Sequence, residues 1–314
     1  MAQRKVKSCL AVHRFNQYGW TTLPSFLQPR TEMSDLANDP SYFCWYELLT
    51  TDMAAATKFY RDVVGWSALP SSTTRVPYTL FKADDSATAG LLELPPEALK
   101  TGAQPRWMGY VGVSDTHAAA DHIKRLGGMI YVPPTDANIG RISVVTDSHS
   151  ALFAVISQPQ VAVQQPTDSG KPGRFGWHEL FATDLQKQSR FYRELFAWQQ
   201  NDTEDRFADA YLTFSAGGQV VASALKSTDP TPFWLFYINV EDIDAAVERV
   251  IAAGGRAGYN DSEMPSGMRI AYCSDPQGAP FALQGLRSQE PQIGWTTEWQ
   301  GFSSRGQLVA PKKK

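Results

Sequence analysis

Two short segments carry the side chains best suited to chemistry. Trp45-Tyr46-Glu47 and Trp177-His178-Glu179 each set an indole and a carboxylate two positions apart. On a β-strand, residues two apart share a face. Trp45, Glu47 and Leu49 therefore look one way, and Tyr46 and Leu48 the other; Trp177 and Glu179 share a face that His178 does not. The same alternation sets Met108 with Tyr110, and Leu235 with Tyr237. An indole stacks on a flat or apolar molecule. A carboxylate accepts a hydrogen bond from that molecule, or acts as a general base once burial raises its pKa. The alternative is that each Glu bonds a Tyr and the group seals a solid core. Arg141 and Arg269 each lie six residues before an aspartate, Asp147 and Asp275. Either could pair with the Glu or hold an anionic ligand, and a structural ion pair is the plainer role.

These residues sit in a chain that repeats itself. Phe43–Asp52 matches Phe175–Asp184 at an offset of 132, which also relates Phe59-Tyr60-Arg61 to Phe191-Tyr192-Arg193 and Trp66 to Trp198. A second repeat, at an offset of 127, relates Trp107, Tyr110, Val113, Asp115 and Gly127 to Trp234, Tyr237, Val240, Asp242 and Gly254. It continues one residue out of step, from Asp147, Phe153 and Ala154 to Asp275, Phe281 and Ala282. The chain thus reads as two halves of two modules each. Every module opens on an alternating, aromatic-rich strand. An Asp follows at a helix N-cap position (Asp52, Asp115, Asp184, Asp242), where its carboxylate can accept from the free amides of the first turn. In the last module, Ile243, Ala246, Val247, Val250 and Ile251 form one helical stripe. Gly127 and Gly254 suit a left-handed helix stop. Three strand-like runs complete each module, at 256–261, 268–273 and 280–284 in the last, with a turn at Asp275-Pro276-Gln277-Gly278. Each module is therefore βαβββ.

The expected organisation is an N-terminal extension over 1–40, poorly ordered; a first domain over 41–160; a Pro/Gly-rich linker over 161–173; a second domain over 174–287; and a tail over 288–314. Met33 is a candidate for the true start of translation. Trp295 and Trp299 in the tail could dock on the second domain or line an interface. The composition, 43% hydrophobic with a net charge of −3, excludes a wholly disordered chain and gives no electrostatic reason to bind nucleic acid or an anionic membrane. No apolar run is long enough for a membrane helix. Cys9, Cys44 and Cys273 form neither a disulfide framework nor a Cys-rich zinc pattern, so a reducing cytoplasm is the simplest compartment. Walker, dinucleotide-binding, His-Glu-x-x-His and Gly-x-Ser-x-Gly motifs are absent from the sequence.

The openings ending in Thr-Thr-Asp or Ala-Thr-Asp, the Phe-Tyr-Arg that follows, the Gly-Trp or Ala-Trp after it and the Asp-Pro-Gln-Gly-Ala turn together resemble the vicinal oxygen chelate superfamily. That superfamily includes glyoxalase I, bleomycin-resistance proteins and extradiol dioxygenases. The resemblance covers roughly residues 41–286 and is nearest to two-domain glyoxalase-like proteins. It implies an α+β fold in which the four βαβββ modules pair, one with two and three with four, into two open-barrel domains with a site on each concave face.

Metal-dependent members of the superfamily place a His or Gln on an opening strand and a Glu late in a final strand. The matching positions here are Trp45, Met108, Trp177 and Leu235, then Ala154 and Ala282. The resemblance therefore leads to an expectation of no family-type metal and no cofactor. Glu47, Glu179, Tyr110 and Tyr237 are the candidate catalytic residues. Trp45, Trp177, Met108, Leu235, Arg141 and Arg269 are the candidate ligand-binding residues. The expected function is binding of a small aromatic or apolar compound by a monomer or homodimer. The alternatives are a glyoxalase- or hydroxylase-type enzyme using Glu/Tyr acid–base chemistry, a metal-dependent lyase or dioxygenase with non-standard ligands, and a degenerate fold kept for assembly. His178, whose repeat partner is Tyr46, reads as packing.

Overall fold

The computed structural model describes residues 41–71, 77–165, 168–201, 210–259 and 268–286. The expected N-terminal extension, the tail and its Trp295 and Trp299 lie outside the described residues. Four βαβββ modules follow one another. The first is β1 (Phe43–Thr50), α1 (Met53–Val64), β2 (Ser67–Ser71), β3 (Tyr78–Ala83) and β4 (Ser86–Glu93), followed by a short helix α2 (Pro96–Lys100). The second is β5 (Arg106–Gly112), α3 (Thr116–Arg125), β6 (Met129–Ala137), β7 (Gly140–Thr146) and β8 (Leu152–Ser157). The third is β9 (Phe175–Ala182), α4 (Leu185–Phe196), β10 (Gln199–Asn201), β11 (Tyr211–Ala216) and β12 (Gln219–Lys226). The fourth is β13 (Phe233–Asp242), α5 (Ile243–Ala252), β14 (Arg256–Tyr259), β15 (Arg269–Ser274) and β16 (Pro280–Leu286).

The opening strands join the modules in pairs. Modules one and two share an eight-stranded sheet in the order β2-β3-β4-β1-β5-β8-β7-β6, and modules three and four share one in the order β10-β11-β12-β9-β13-β16-β15-β14. Neither sheet closes on itself. The local signals act as their chemistry requires. Asp52, Asp115, Asp184 and Asp242 each cap a helix, accepting from a first-turn amide. Gly127 and Gly254 take the left-handed conformation just past α3 and α5, at φ +87 and +84. One member of the expected α5 stripe falls outside it: Ile251 is 59% exposed. At roughly 100° per residue it stands about 80° round from Ile243, on the rim of the buried stripe.

One core spans both halves. It takes in helices α1, α3, α4 and α5 and the sheet faces that bear Tyr46, Leu48, Phe175 and Leu180. The contacts across it exchange under the repeat offset. Tyr46 stacks on Phe175 at 3.7 Å and Phe43 packs on His178 at 4.7 Å between ring centres. Trp66 Nε1 donates to the Gly173 carbonyl (2.8 Å), and Trp198 Nε1 to the Ser41 carbonyl (2.6 Å). Tyr60 donates to Asp275 Oδ2 (3.3 Å) and accepts from Trp107 Nε1 (2.9 Å). Tyr192 donates to Asp147 Oδ2 (3.2 Å) and accepts from Trp234 Nε1 (2.9 Å). The other oxygen of each aspartate holds its own turn, Asp275 through the amides of Gln277 and Ala279 and Asp147 through those of His149 and Ala151. The Asp of the turn motif thus serves two halves at once, and burial raises the Asp275 carboxyl to about 6. Gly109 lets the two halves approach closely: a Cβ there would lie 2.5 Å from Phe236 Cε1.

Candidate functional site

With their Tyr46 and His178 faces committed to the shared core, the sheets turn their other faces to two separate clusters. In the first half, Trp45, Met108, Tyr110, Tyr78, Leu80, Ala154 and Ile156 pack together. The antiparallel β1–β5 register sets Trp45 opposite Tyr110 and Glu47 opposite Met108, and the parallel β5–β8 register sets Tyr110 beside Ala154. Glu47 is 6% exposed. Its Oε1 accepts from Tyr78 Oη at 3.0 Å and its Oε2 from Tyr110 Oη. Burial raises Glu47 to about 7, with the phenol donors opposing the rise. Desolvation holds both tyrosines well above their ordinary range. Trp45 is fully buried, and its indole N–H makes no well-formed hydrogen bond, though it lies near enough to favour the charged form of Glu47.

The second half repeats this plan with a different hydrogen-bond pattern. Trp177 lies opposite Tyr237 and Glu179 opposite Leu235. Glu179 accepts from Tyr237 Oη at 2.5 Å and from Ser223 Oγ at 3.1 Å, while Ser223 Oγ accepts from Trp177 Nε1 at 3.0 Å. Burial raises this carboxyl too. Ser223 sits beside Glu179 in the β9–β12 ladder where Gly90 sits beside Glu47 in the β1–β4 ladder. A Cβ on Gly90 would overlap the Tyr78 hydroxyl. The glycine therefore admits Tyr78 to its carboxylate, and the serine takes that place in the other half, leaving Tyr211, the counterpart of Tyr78 at the start of β11, partly exposed.

The structure thus brings Trp45, Glu47, Met108 and Tyr110 together, and likewise Trp177, Glu179, Leu235 and Tyr237. It does not bring the two arginines to them. On β7 the concave cluster takes Ile142 and Val144. Alternation turns Arg141 to the opposite face, where it forms a bidentate pair with Asp136 (2.7 and 3.0 Å) rather than pairing with Glu47. On β15 the cluster takes Ile270 and Tyr272. Arg269 lies on the other face, over the Tyr259 ring at 5.5 Å, with its Nε buried and unbonded. Their shared distance from the turn aspartate is the signature of a repeated strand phase, and that phase points away from the carboxylates.

Tyr78 and Ser223, which complete the two carboxylate environments, were not legible as site residues. Each lies on a strand whose register against β1 or β9 had to be known first. The Glu–Tyr bond weighed as a core seal is formed in both halves. The positions that the resemblance links to metal ligands do converge on these faces, but as Trp45, Met108 and Ala154, and as Trp177, Leu235 and Ala282. A single carboxylate already bonded to hydroxyls is a poor donor set for zinc, iron or manganese. Among the described residues no three His, Cys, Asp or Glu side chains gather as a metal site.

A model of the Glyoxalase/Bleomycin resistance protein/Dioxygenase superfamily matches residues 43–154 and 174–283. The protein named "Putative glyoxylase CFP32" of Mycobacterium tuberculosis is 29% identical over 247 residues, covering 76% of this chain and 92% of its own. The anthracycline biosynthesis protein DnrV of Streptomyces peucetius is 30% identical over 128 residues, covering 36% of this chain and 46% of its own. Among solved structures, the Mn(II)-bound glyoxalase from Novosphingobium aromaticivorans superposes with a TM-score of 0.55 at 15% identity, covering 79% of this chain and 83% of its own. An extradiol ring-cleaving dioxygenase from B. fuscum superposes with a TM-score of 0.56 at 15% identity, covering 82% of this chain and 76% of its own. At such identities the structural likeness bears on the fold alone.

Proposed function

The chain belongs to the Glyoxalase/Bleomycin resistance protein/Dioxygenase superfamily, and from that membership we propose that it binds a small aromatic or apolar compound on a concave face without the family's metal. One observation carries this reading. Among the described residues, each of these faces holds one buried carboxylate bonded to a tyrosine and flanked by an indole, where a metal site would need several anionic or imidazole donors. Indole and phenol rings offer stacking surface, and the carboxylate offers an acceptor that fixes orientation. The relative named for anthracycline biosynthesis is in keeping with a planar aromatic ligand. Among the described residues no helix is long and apolar enough to cross a membrane.

A second reading is acid–base catalysis by Glu47 or Glu179 with Tyr110 or Tyr237. It draws on the position of Glu47 near pH 7, where a carboxyl can both take and give a proton. A thermal-shift screen of metabolites, with elemental analysis of the purified chain, tests the binding reading. A compound that raises Tm with no stoichiometric metal supports it; stoichiometric manganese, iron, nickel or zinc required for that shift overturns it. Glu47→Gln and Glu179→Gln then separate the two readings. The amide keeps shape and an acceptor, so binding survives, whereas base catalysis collapses.

A further inference from the structure

The repeat makes the face between the halves a near-two-fold interface, and such an interface holds two kinds of contact. Off the axis, each contact occurs twice. Trp66 reaches the Gly173 carbonyl and Trp198 the Ser41 carbonyl, and Tyr60 and Tyr192 each reach the turn aspartate of the other half. A pair of identical halves can make contacts of this kind equally well. On the axis, a position meets its own repeat counterpart, so identical halves would set a residue against itself. Two such pairs are Tyr46 with His178 and Gly109 with Phe236. Their members lie 132 and 127 residues apart, the two offsets of the repeat.

Both pairs have become unlike in matching ways. The first is a donor with an acceptor. His178 Nδ1 lies 2.8 Å from the Val221 carbonyl, so Nε2 accepts from Tyr46 Oη. The second is a hole with a knob. A Cβ on Gly109 would lie 2.5 Å from Cε1 and 2.7 Å from Cζ of Phe236, so the ring fills the room that a side chain at 109 would take. Phe236 is buried there and meets Tyr46 edge-on at 5.6 Å, which joins the two pairs into one patch. Two second halves would face Nε2 to Nε2, both acceptors, and crowd two phenyl rings into the room of one. Two first halves would face glycine to glycine and leave a void where the ring now stands.

We propose that the face between the halves is a heterospecific interface, which takes the other half of this chain and rejects a second copy of the same half, with Gly109–Phe236 as its steric determinant and Tyr46–His178 as its polar one. The discrimination comes from the clash and the void of like pairs as well as from the contacts of the unlike pair. It stands apart from the binding reading above. The covalent tether can be cut without touching either axis pair. The chain leaving β8 is already fastened to the first half, with Val161 buried beside Trp45 and Gln164 N–H donating to the Cys44 carbonyl at 2.9 Å. A cut at 166–167 falls beyond those contacts.

The test starts from the full chain with a protease site placed at 166–167. After cleavage, unfolding in urea and refolding together, native mass spectrometry should show each first half paired with a second half and no like pairs. Like and unlike pairs in statistical proportion overturn the inference, as do halves that refold and stay apart. The same cut chain carrying Phe236→Leu and His178→Gln loses the knob and gains a side chain that both donates and accepts. It should form pairs of second halves, and pairing that stays exclusively unlike overturns the assignment to these residues. If the cut halves do not refold, thermal melts of the uncut chain decide. Gly109→Ala should lower Tm by about 5 °C. In a Phe236→Leu background, which lacks the ring atoms nearest to 109, the loss should be less than half as large. Phe43 Cδ1, also 2.7 Å from that Cβ, accounts for the remainder. Equal losses in the two backgrounds overturn the proposal.

Discussion

Tyr46 and His178 occupy the same position of two repeats, 132 residues apart, and they bond to each other, Oη to Nε2, at 2.6 Å. The other ring nitrogen of His178 lies 2.8 Å from the Val221 carbonyl, which can only accept. Nδ1 therefore carries the proton, Nε2 is the acceptor and Tyr46 is the donor. The two halves meet where one position has diverged into a donor and an acceptor.

Burial keeps this histidine neutral, pushing its pKa down to about 4. The unfolded chain, with a histidine near 6.5, binds more protons between those values. The contribution is fully present above pH 6.5 and is lost as pH falls towards 4, by about 3 kcal/mol in all. Urea unfolding at pH 4.5 and 7 should show His178→Gln with less acid sensitivity than the native chain. Tyr46→Phe should cost about 1–3 kcal/mol at pH 7, because it strands a buried acceptor.

Glu47 should show the opposite sign. Its folded pKa of about 7 lies above the ordinary carboxyl value of 4.5. Its neutral form is favoured in the folded chain, so this contribution is complete below pH 4.5 and is lost as pH rises towards 7, by about 3 kcal/mol. Glu47→Gln, which cannot ionise, should be relatively more stable at pH 8 than at pH 5 when compared with the native chain over the same urea series. An unchanged difference between the two pH values would mean that the folded carboxyl titrates as it does in the unfolded chain.

The Tyr60–Asp275 and Tyr192–Asp147 bonds join different halves, so their loss should register as coupling across the molecule. Tyr60→Phe and Tyr192→Phe should each cost about 1–2 kcal/mol. Asp275→Ala should cost about 3 kcal/mol, because it also strands the turn amides of Gln277 and Ala279. A double-mutant cycle on Tyr60 and Asp275 should give a coupling of about 1 kcal/mol, whereas Tyr60 against Asp147 should be additive.

Gly90 should resist even the smallest side chain. Gly90→Ala drives a methyl into the place of the Tyr78 hydroxyl, at a cost of about 1–3 kcal/mol by overpacking. Gly90→Ala in a Tyr78→Phe background should cost less, and thermal melts of the two backgrounds measure the difference.

The modules, the helix-capping aspartates, the glycine stops and the faces of Trp45 and Glu47 were legible in the sequence because each depends on local spacing. The tyrosine partners Tyr110 and Tyr237 could be placed once two opening strands were taken to pair. What stayed hidden depends on register or on the docking of halves. Arg141 and Arg269 looked available because their shared spacing was visible while their strand phase was not. Tyr78 and Ser223 become site residues only through the β1–β4 and β9–β12 ladders. Nothing in the local pattern says that His178, packed as expected, meets its own repeat counterpart.

The segment from β8 back along Trp45 has a consequence for how such a molecule diversifies. A tether between twin units can lie across just one of two like openings. Joining the copies therefore breaks their equivalence at once, before any substitution inside either opening. Among the described residues the tether joins only the first cluster, and Phe181, Phe233 and Tyr272 stand in the second where Leu49, Arg106 and Val144 stand in the first.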